Sequence, residues 1–188
     1  MITLEPMPYE ELPDAWQSMK IEFPDNERKP LEMLQKLYRR GVYDIWWLKE
    51  DGARKGYAMM LRAEGCAFAL LDYLAMLEKG RGYGSACLEA LKGRYPNGIL
   101  VEAEAMEEGL APDIARQRER RLLFYQRAGF APCSFATNVF GVIYRVHLWA
   151  KELPPDWEEL ARQAYNHIYR AHLPERWLET YFSVEGQP

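Results

Sequence analysis

The chain has 188 residues and a net charge of −4, enough length to bury the core of one domain and too little positive charge to favour a nucleic-acid backbone as its partner. Cys66, Cys87 and Cys133 and the three histidines lie scattered, with no Cys-x-x-Cys spacing, which reads as reduced thiols in a cytoplasmic protein without a metal site. The opening MITLEPMPYEEL has no basic or apolar signal-peptide region, and the longest apolar stretch, 66–71, is far short of a membrane span.

Residues 2–5 alternate and predict a first strand, halted by Pro6 and Pro8. Residues 9–21 carry a helical pattern that breaks at Phe23-Pro24-Asp25-Asn26. Pro30 reads as the first residue of a second helix, with Leu31, Leu34, Leu37 and Tyr38 on its apolar side and Gly41 closing it. Strands over 43–49 and 55–62 flank Asp51-Gly52, a hairpin signal. After Glu64-Gly65, a long central strand is expected over 66–77. A glycine-bearing loop, 79–85, enters a helix that ends near Arg94, and Pro96-Asn97-Gly98 leads to a strand over 99–105. An acidic loop, 106–113, precedes a helix at 115–128 and strands at 130–137 and 142–149. Beyond Leu153-Pro154-Pro155 a helix is expected at 157–170 with Asp156 as N-cap, then a short helical turn within 173–182. This order reads as α+β, a meander followed by one βαβ-like passage across the glycine loop.

The stretch 70–90, LLDYLAMLEKGRGYGSACLEA, carries the most chemistry. A buried strand ends, a glycine loop turns and a helix begins. The first-turn N–H groups of that helix have no intrahelical partner and sit at the positive end of its dipole. Glycines let a ligand approach those N–H groups without a Cβ in the way, so the pattern suits phosphate. A dinucleotide fingerprint starting at Gly80 would need glycine where Ser85 stands, and the Gly-Lys-Ser/Thr of a nucleoside-triphosphate loop is absent. On this motif alone, a tight turn packed on its sheet remains the bland alternative.

A second segment, RRLLFYQRAGF at 120–130, reads as a helix ended by Gly129 and followed by an apolar strand from Phe130. The pairing of Arg81-Gly82-Tyr83-Gly84 with Phe124-Tyr125-Gln126-Arg127-Ala128-Gly129-Phe130 resembles the GNAT superfamily of acyl-CoA-dependent N-acetyltransferases. Gly82 and Gly84 match that family's loop pattern, and Lys79 takes its Gln/Arg place with the charge kept. Residues 71–76 resemble the family's fourth strand. Glu27-Arg28-Lys29-Pro30 after Phe23-Pro24, with a Tyr-Arg pair near the C-terminus, looks like a bacterial branch of it. The likeness covers 1–150 well and the tail loosely.

The resemblance implies a central mixed, mostly antiparallel sheet of about seven strands flanked by helices, in a domain over 1–150, with a helical extension over 151–188. It implies transfer of an acetyl group from acetyl-CoA to a primary amine by direct attack in a ternary complex. The backbone of Ala75, Met76 and Leu77 would hold the pantetheine arm, and the N–H of Met76 or Leu77 would face the thioester oxygen. The amides of Arg81, Gly82, Tyr83, Gly84 and Ser85 would hold the pyrophosphate, beside Gly80 and the charge of Lys79 or Arg81. Tyr125, four residues before Gly129, would protonate the leaving thiolate.

Glu102 and Glu104 lie two apart on one strand and share a face, so either could take the amine's proton; Asp72 is a second candidate. The bland reading of Glu102 and Glu104 is a pair held by Arg116, Arg118, Arg120 or Arg121. Trp16, Phe23, Trp46, Trp47 and Tyr57 read as core more readily than as an acceptor pocket, and Trp157, Tyr165, Tyr169 and Trp177 as aromatics that dock the tail. The expected partners are acetyl-CoA and an amine, with no nucleic acid or membrane; a homodimer stays open. A catalytically weak acyl-CoA-binding sensor or scaffold is the alternative, and a nucleotide-binding oxidoreductase stands third.

Overall fold

The computed structural model describes residues 1–185. Eight strands form one mostly antiparallel sheet in the order β1-β2-β3-β4-β5-β7-β6-β8. They are β1 (Ile2–Pro6), β2 (Tyr43–Glu50), β3 (Ala53–Leu61), β4 (Ala69–Met76), β5 (Ile99–Glu104), β6 (Ala131–Val139), β7 (Val142–Trp149) and β8 (Phe182–Glu185). Among the described residues six α-helices flank it: α1 (Leu12–Glu22), α2 (Leu31–Arg39), α3 (Tyr83–Arg94), α4 (Pro112–Arg127), α5 (Trp157–His172) and α6 (Glu175–Tyr181). The chain forms two compact units, one of Met1–Glu64 with Leu71–Arg94, the other of Gly65–Leu70 with the chain from Tyr95 onward. Among the described residues no helix is long and apolar enough to cross a membrane.

In the first unit, β2 and β3 pair antiparallel around Asp51 and Gly52, whose φ values of 49° and 82° are those of a two-residue type I′ turn. A register shift between Leu48 and Lys49, just beyond that turn, then sets Trp47 opposite Tyr57, and their rings meet edge to face at 5.9 Å in the core. The run Gly56–Leu61 is buried on both faces, as the near-continuous apolar sequence GYAMML requires of an inner strand. Leu12, Ala15 and Met19 of α1 and Leu34 and Leu37 of α2 supply the helical side of this core, with Cys87, Leu88 and Leu91 of α3.

In the second unit β5, β7, β6 and β8 pair antiparallel. Helix α4 ends in a Schellman motif, with Phe130 N–H bonded to Tyr125 O at 3.1 Å and Gly129 N–H to Gln126 O at 2.9 Å. Gly129 takes φ +80°, which an L side chain adopts only under strain. The motif brings the Phe130 ring to 5.7 Å from the Tyr125 ring, the apolar contact that accompanies such a cap.

Three expectations need correction. The central strand starts at Ala69, not at 66, because the Phe68 ring lies where a Cβ on Gly98 would be, and Ala69 N–H bonds Gly98 O at 3.1 Å, closing a loop over 66–68. Asp156 holds the N-cap position of α5, yet its side chain makes no capping bond. The tail is not helical to its end. β8 pairs with β6, and Phe182 stacks on Tyr169 at 4.7 Å and on Tyr165 at 6.0 Å, which raises the expected seven strands to eight. Residues 186–188 of the expected extension lie outside the described residues.

Burial pushes the Cys87 and Cys133 thiols from 9.0 up to about 12, and the Tyr57 and Tyr125 phenols from 10.0 up to about 12. The native state therefore keeps protons that the unfolded chain releases above pH 9, and stability is lost as pH rises through that window. Burial also lowers the pKa of His147, so the unfolded chain binds an extra proton below about its ordinary value of 6.5 and stability falls there too. Urea midpoints measured across pH should form a plateau that declines on both sides, steeply from pH 9 to 12. A midpoint unchanged from pH 8 to 11 would contradict the burial of these groups.

Candidate active site

The loop between β4 and α3 is built as the glycine spacing suggests. Gly80 and Gly82 take φ +76° and +78°, and a Cβ on either would meet nothing within 4 Å, so the glycines serve conformation and leave open space above the backbone. Gly82 O accepts the first helical bond, from Ala86 N at 3.1 Å. The N–H groups of Tyr83, Gly84 and Ser85 thus precede the helical ladder at the positive end of α3.

Side chains pin this loop to its neighbours. The Tyr83 hydroxyl donates to Glu50 Oε2 at 2.6 Å, and Lys55 Nζ bonds Glu78 at 2.5 Å and lies 5.6 Å from the centre of the Tyr83 ring. Lys79, expected beside a phosphate, is ion-paired with Glu22 at 3.0 Å. Arg81 is exposed and makes no ion pair among the described residues.

The end of β4 rests on Gly56 of β3. A Cβ at residue 56 would stand 2.5 Å from Ala75 O and 2.6 Å from the Met76 methyl, so only glycine admits this approach. The Leu77 N–H donates to Lys55 O at 2.9 Å. Successive N–H groups of a strand point to opposite edges, so Met76 N–H points away from β3, and of the two candidate donors it is the one left uncommitted to that strand.

Asp72, also on β4, does not stand alone. Both its oxygens meet Lys29 Nζ, at 2.7 and 2.8 Å, and it accepts from the Tyr43 hydroxyl. Burial, then the Asp72 charge, holds that phenol well above its ordinary pKa. The neighbouring Tyr73 hydroxyl donates to Glu27 O at 2.8 Å and accepts from Lys29 N–H at 2.9 Å, and Trp16 Nε1 donates to Lys29 O at 3.2 Å. Phe23 meets the Tyr73 ring edge-on at 5.1 Å. The segment between α1 and α2 is thereby strapped along β4. The five aromatics weighed as an acceptor pocket divide: Trp47 and Tyr57 are core, Trp46 stacks under Arg94 at 4.1 Å, and Trp16 and Phe23 belong to the strap.

In the second unit, Glu102 and Glu104 do share a face of β5. Glu102 Oε1 accepts from the hydroxyls of both Tyr165 and Tyr169 of α5, the latter at 2.6 Å, while Thr137 Oγ1 lies 3.1 Å from the Tyr165 hydroxyl. Glu104 is ion-paired with Arg121 of α4, and Arg118 holds Ala105 O at 2.5 Å and Glu107 at 2.7 Å. The Tyr125 ring is buried between Phe124 and Phe130, and burial lifts its phenol to about 12.

No protein-family model and no curated protein matches the sequence. Solved structures do match the fold. A protein assigned to the GNAT family from Bacteroides thetaiotaomicron is 20% identical, with a TM-score of 0.69 over 89% of this chain and 98% of the other. AAC(6')-Ib, solved with paromomycin and acetyl-CoA, is 16% identical, with a TM-score of 0.56 over 88% and 96%. The ribosomal-protein-S18-alanine N-acetyltransferase of Escherichia coli is 15% identical, with a TM-score of 0.54 over 83% and 97%. The chain has the GNAT fold. Two features of it differ in how far the sequence betrays them. Gly56 was legible as a glycine inside a strand, a sign of close backbone approach. The strap residues Tyr73, Lys29 and Tyr43 carried no local signal, since their partners lie 29 to 46 residues away.

Asp72 is thus held as a tether within this GNAT fold. Replacing it by Asn would remove the carboxylate charge that both of its bonds to the part-buried Lys29 ammonium depend on, a loss of about 3 kcal/mol for a buried pair. Asp72→Asn should lower the urea midpoint accordingly. A variant as stable as the wild type would show that the ion pair does not hold the strap.

Proposed function

We propose that this chain is an N-acetyltransferase that moves an acetyl group from acetyl-CoA to a primary amine, by direct attack of the amine on the thioester in a ternary complex. The observation that carries the reading is the succession of β4, a loop with two left-handed glycines, and the amide-bearing start of α3. The residues fit a pyrophosphate. Three N–H groups stand at a helix start, Gly80 and Gly82 leave open space above the backbone, and Arg81 supplies a positive charge that makes no ion pair among the described residues. Acetyl-CoA supplies an activated acetyl thioester, and the remaining work falls to the chain.

In this reading Ala75, Met76 and Leu77 hold the pantetheine arm. Met76 N–H donates to the thioester oxygen, where charge grows as the C–N bond forms. As the C–S bond breaks, the Tyr125 hydroxyl gives its proton to the sulfur, yielding amide and thiol. A phenol held near 12 stays protonated across the working pH range, as an acid must. The amine's proton leaves towards Glu102 or Glu104, both already engaged by protein donors, so transfer to Glu102 would pass by way of Tyr169. The acidic pair and the following Glu107 and Glu108 suit an acceptor that arrives as an ammonium ion. That same engagement of all three candidate carboxylates favours a second reading, an acyl-CoA-binding sensor or scaffold with weak turnover.

Calorimetric titration with acetyl-CoA tests the coenzyme site. Gly82→Asp places a side chain and a negative charge over the amides and should abolish binding; unchanged affinity in the folded variant would remove the loop from the site. Transfer to a panel of amines, polyamines, aminoglycosides and peptides separates enzyme from sensor. With an acceptor in hand, Tyr125→Phe should leave coenzyme affinity intact and lower kcat by about 10²–10⁴-fold. Wild-type turnover in that variant, with chemistry rate-limiting, would return Tyr125 to a packing role.

A further inference from the structure

We infer that Lys79 is shared between two anions, Glu22 in the free protein and the coenzyme pyrophosphate in the complex, so that Glu22 is an internal competitor displaced when the coenzyme binds. The inference rests on the coenzyme site proposed above and adds a residue, Glu22, from outside the glycine loop.

Three cations surround that loop, and they differ in commitment. Lys55 is fixed. Its side chain is 18% exposed, its ammonium bonds Glu78 and lies near the Tyr83 ring, and its carbonyl takes the Leu77 N–H. Arg81 has no ion pair among the described residues. Lys79 stands between them. Its side chain is 79% exposed, and its ammonium meets the Glu22 carboxylate at 3.0 Å. An exposed lysine on a flexible stem can change partner at little cost.

Glu22 is placed against local preference. It is the last residue of α1, where the unpaired carbonyls carry negative partial charge and a cation is favoured. Its side chain is only 23% exposed, so solvent relieves little of that repulsion, and Lys79 supplies the counter-charge. In the free protein the Glu22 carboxylate thus occupies the lysine as a phosphate oxygen would. Lys79 stands four residues before Tyr83 on a flexible, exposed stem, so a pyrophosphate on the amides of Tyr83, Gly84 and Ser85 would offer the same ammonium more negative charge than Glu22 does. Phe23 and Lys29 keep the strap on Tyr73 and Asp72 through the exchange, so the change is confined to the end that starts at Glu22.

Coenzyme A, which carries the pyrophosphate and no acetyl group, is the probe. It is titrated by calorimetry into the wild type, Glu22→Gln, Lys79→Gln and the double variant, each confirmed as folded by circular dichroism, at low and high salt. Exposed ion pairs typically shift such equilibria up to about fivefold. Glu22→Gln should therefore tighten coenzyme A binding by about two- to fivefold at low salt, less at high salt. Lys79→Gln should weaken it, and Glu22→Gln should bring no gain in the Lys79→Gln background. An equal gain in both backgrounds would mean plain repulsion between Glu22 and phosphate and would overturn the exchange. So would a Glu22→Gln variant that binds no tighter, or a Lys79→Gln variant that binds no weaker. A wild type that does not bind coenzyme A at all overturns the coenzyme site itself, and the exchange with it.

Discussion

Residue 56 has no side chain, and the carbonyl of Ala75 stands where one would begin. This single close approach sets how β4 lies on β3. It lets the Met76 side chain fold over the inner strand, and the Leu77 N–H reaches the Lys55 carbonyl. With Leu77 tied down, alternation along the strand turns Met76 N–H to the opposite edge. Glu78 then meets Lys55, and the chain enters the glycine turns from a fixed direction. A methyl group at residue 56 would collide with backbone, which cannot yield as a flexible side chain can. The placement of the glycine loop therefore depends on the absence of one carbon atom.

The three carboxylates weighed as a base are all partnered, and their sets of partners differ. Asp72 meets an ammonium and a phenol, Glu104 a guanidinium, and Glu102 two phenols. The first is a structural clamp on the strap. The second is a strand-to-helix ion pair of the sort expected from the arginine-rich face of α4. The third is the unusual one, because a phenol can pass a proton along a hydrogen bond while a guanidinium holds its own.

Local signals in the sequence were reliable where a backbone conformation demanded a residue type. Asp51-Gly52 announces a type I′ turn, Gly129 a left-handed helix cap, and Gly80 and Gly82 a loop of positive φ. The strand start at Ala69 was hidden because the apolar run from Cys66 looks continuous, and only the Phe68 ring over Gly98 interrupts it. β8 was hidden because four residues after a helix carry little pattern of their own, and pairing with β6 decides their state. Partners of Glu102 lie 63 and 67 residues along the chain, beyond any periodicity. The spacing of Tyr125 and Gly129 has a double meaning. It is also the spacing of a Schellman cap, in which an aromatic at C3 meets an apolar residue at C″. A tyrosine there is consequently recruited by helix termination alone, without any appeal to chemistry.

The stack of Phe182 on Tyr165 and Tyr169 joins the last described strand to Glu102 through two side-chain layers. A four-residue strand at the edge of a sheet is held by one neighbour and opens more readily than the strands inside it. Here the fraying of four residues would strip the aromatic cover from the phenols that hold a carboxylate on β5. Local opening of this edge strand and the electrostatics of β5 are then coupled, and a nick within β8 would be read out as a change in the charge environment of Glu102.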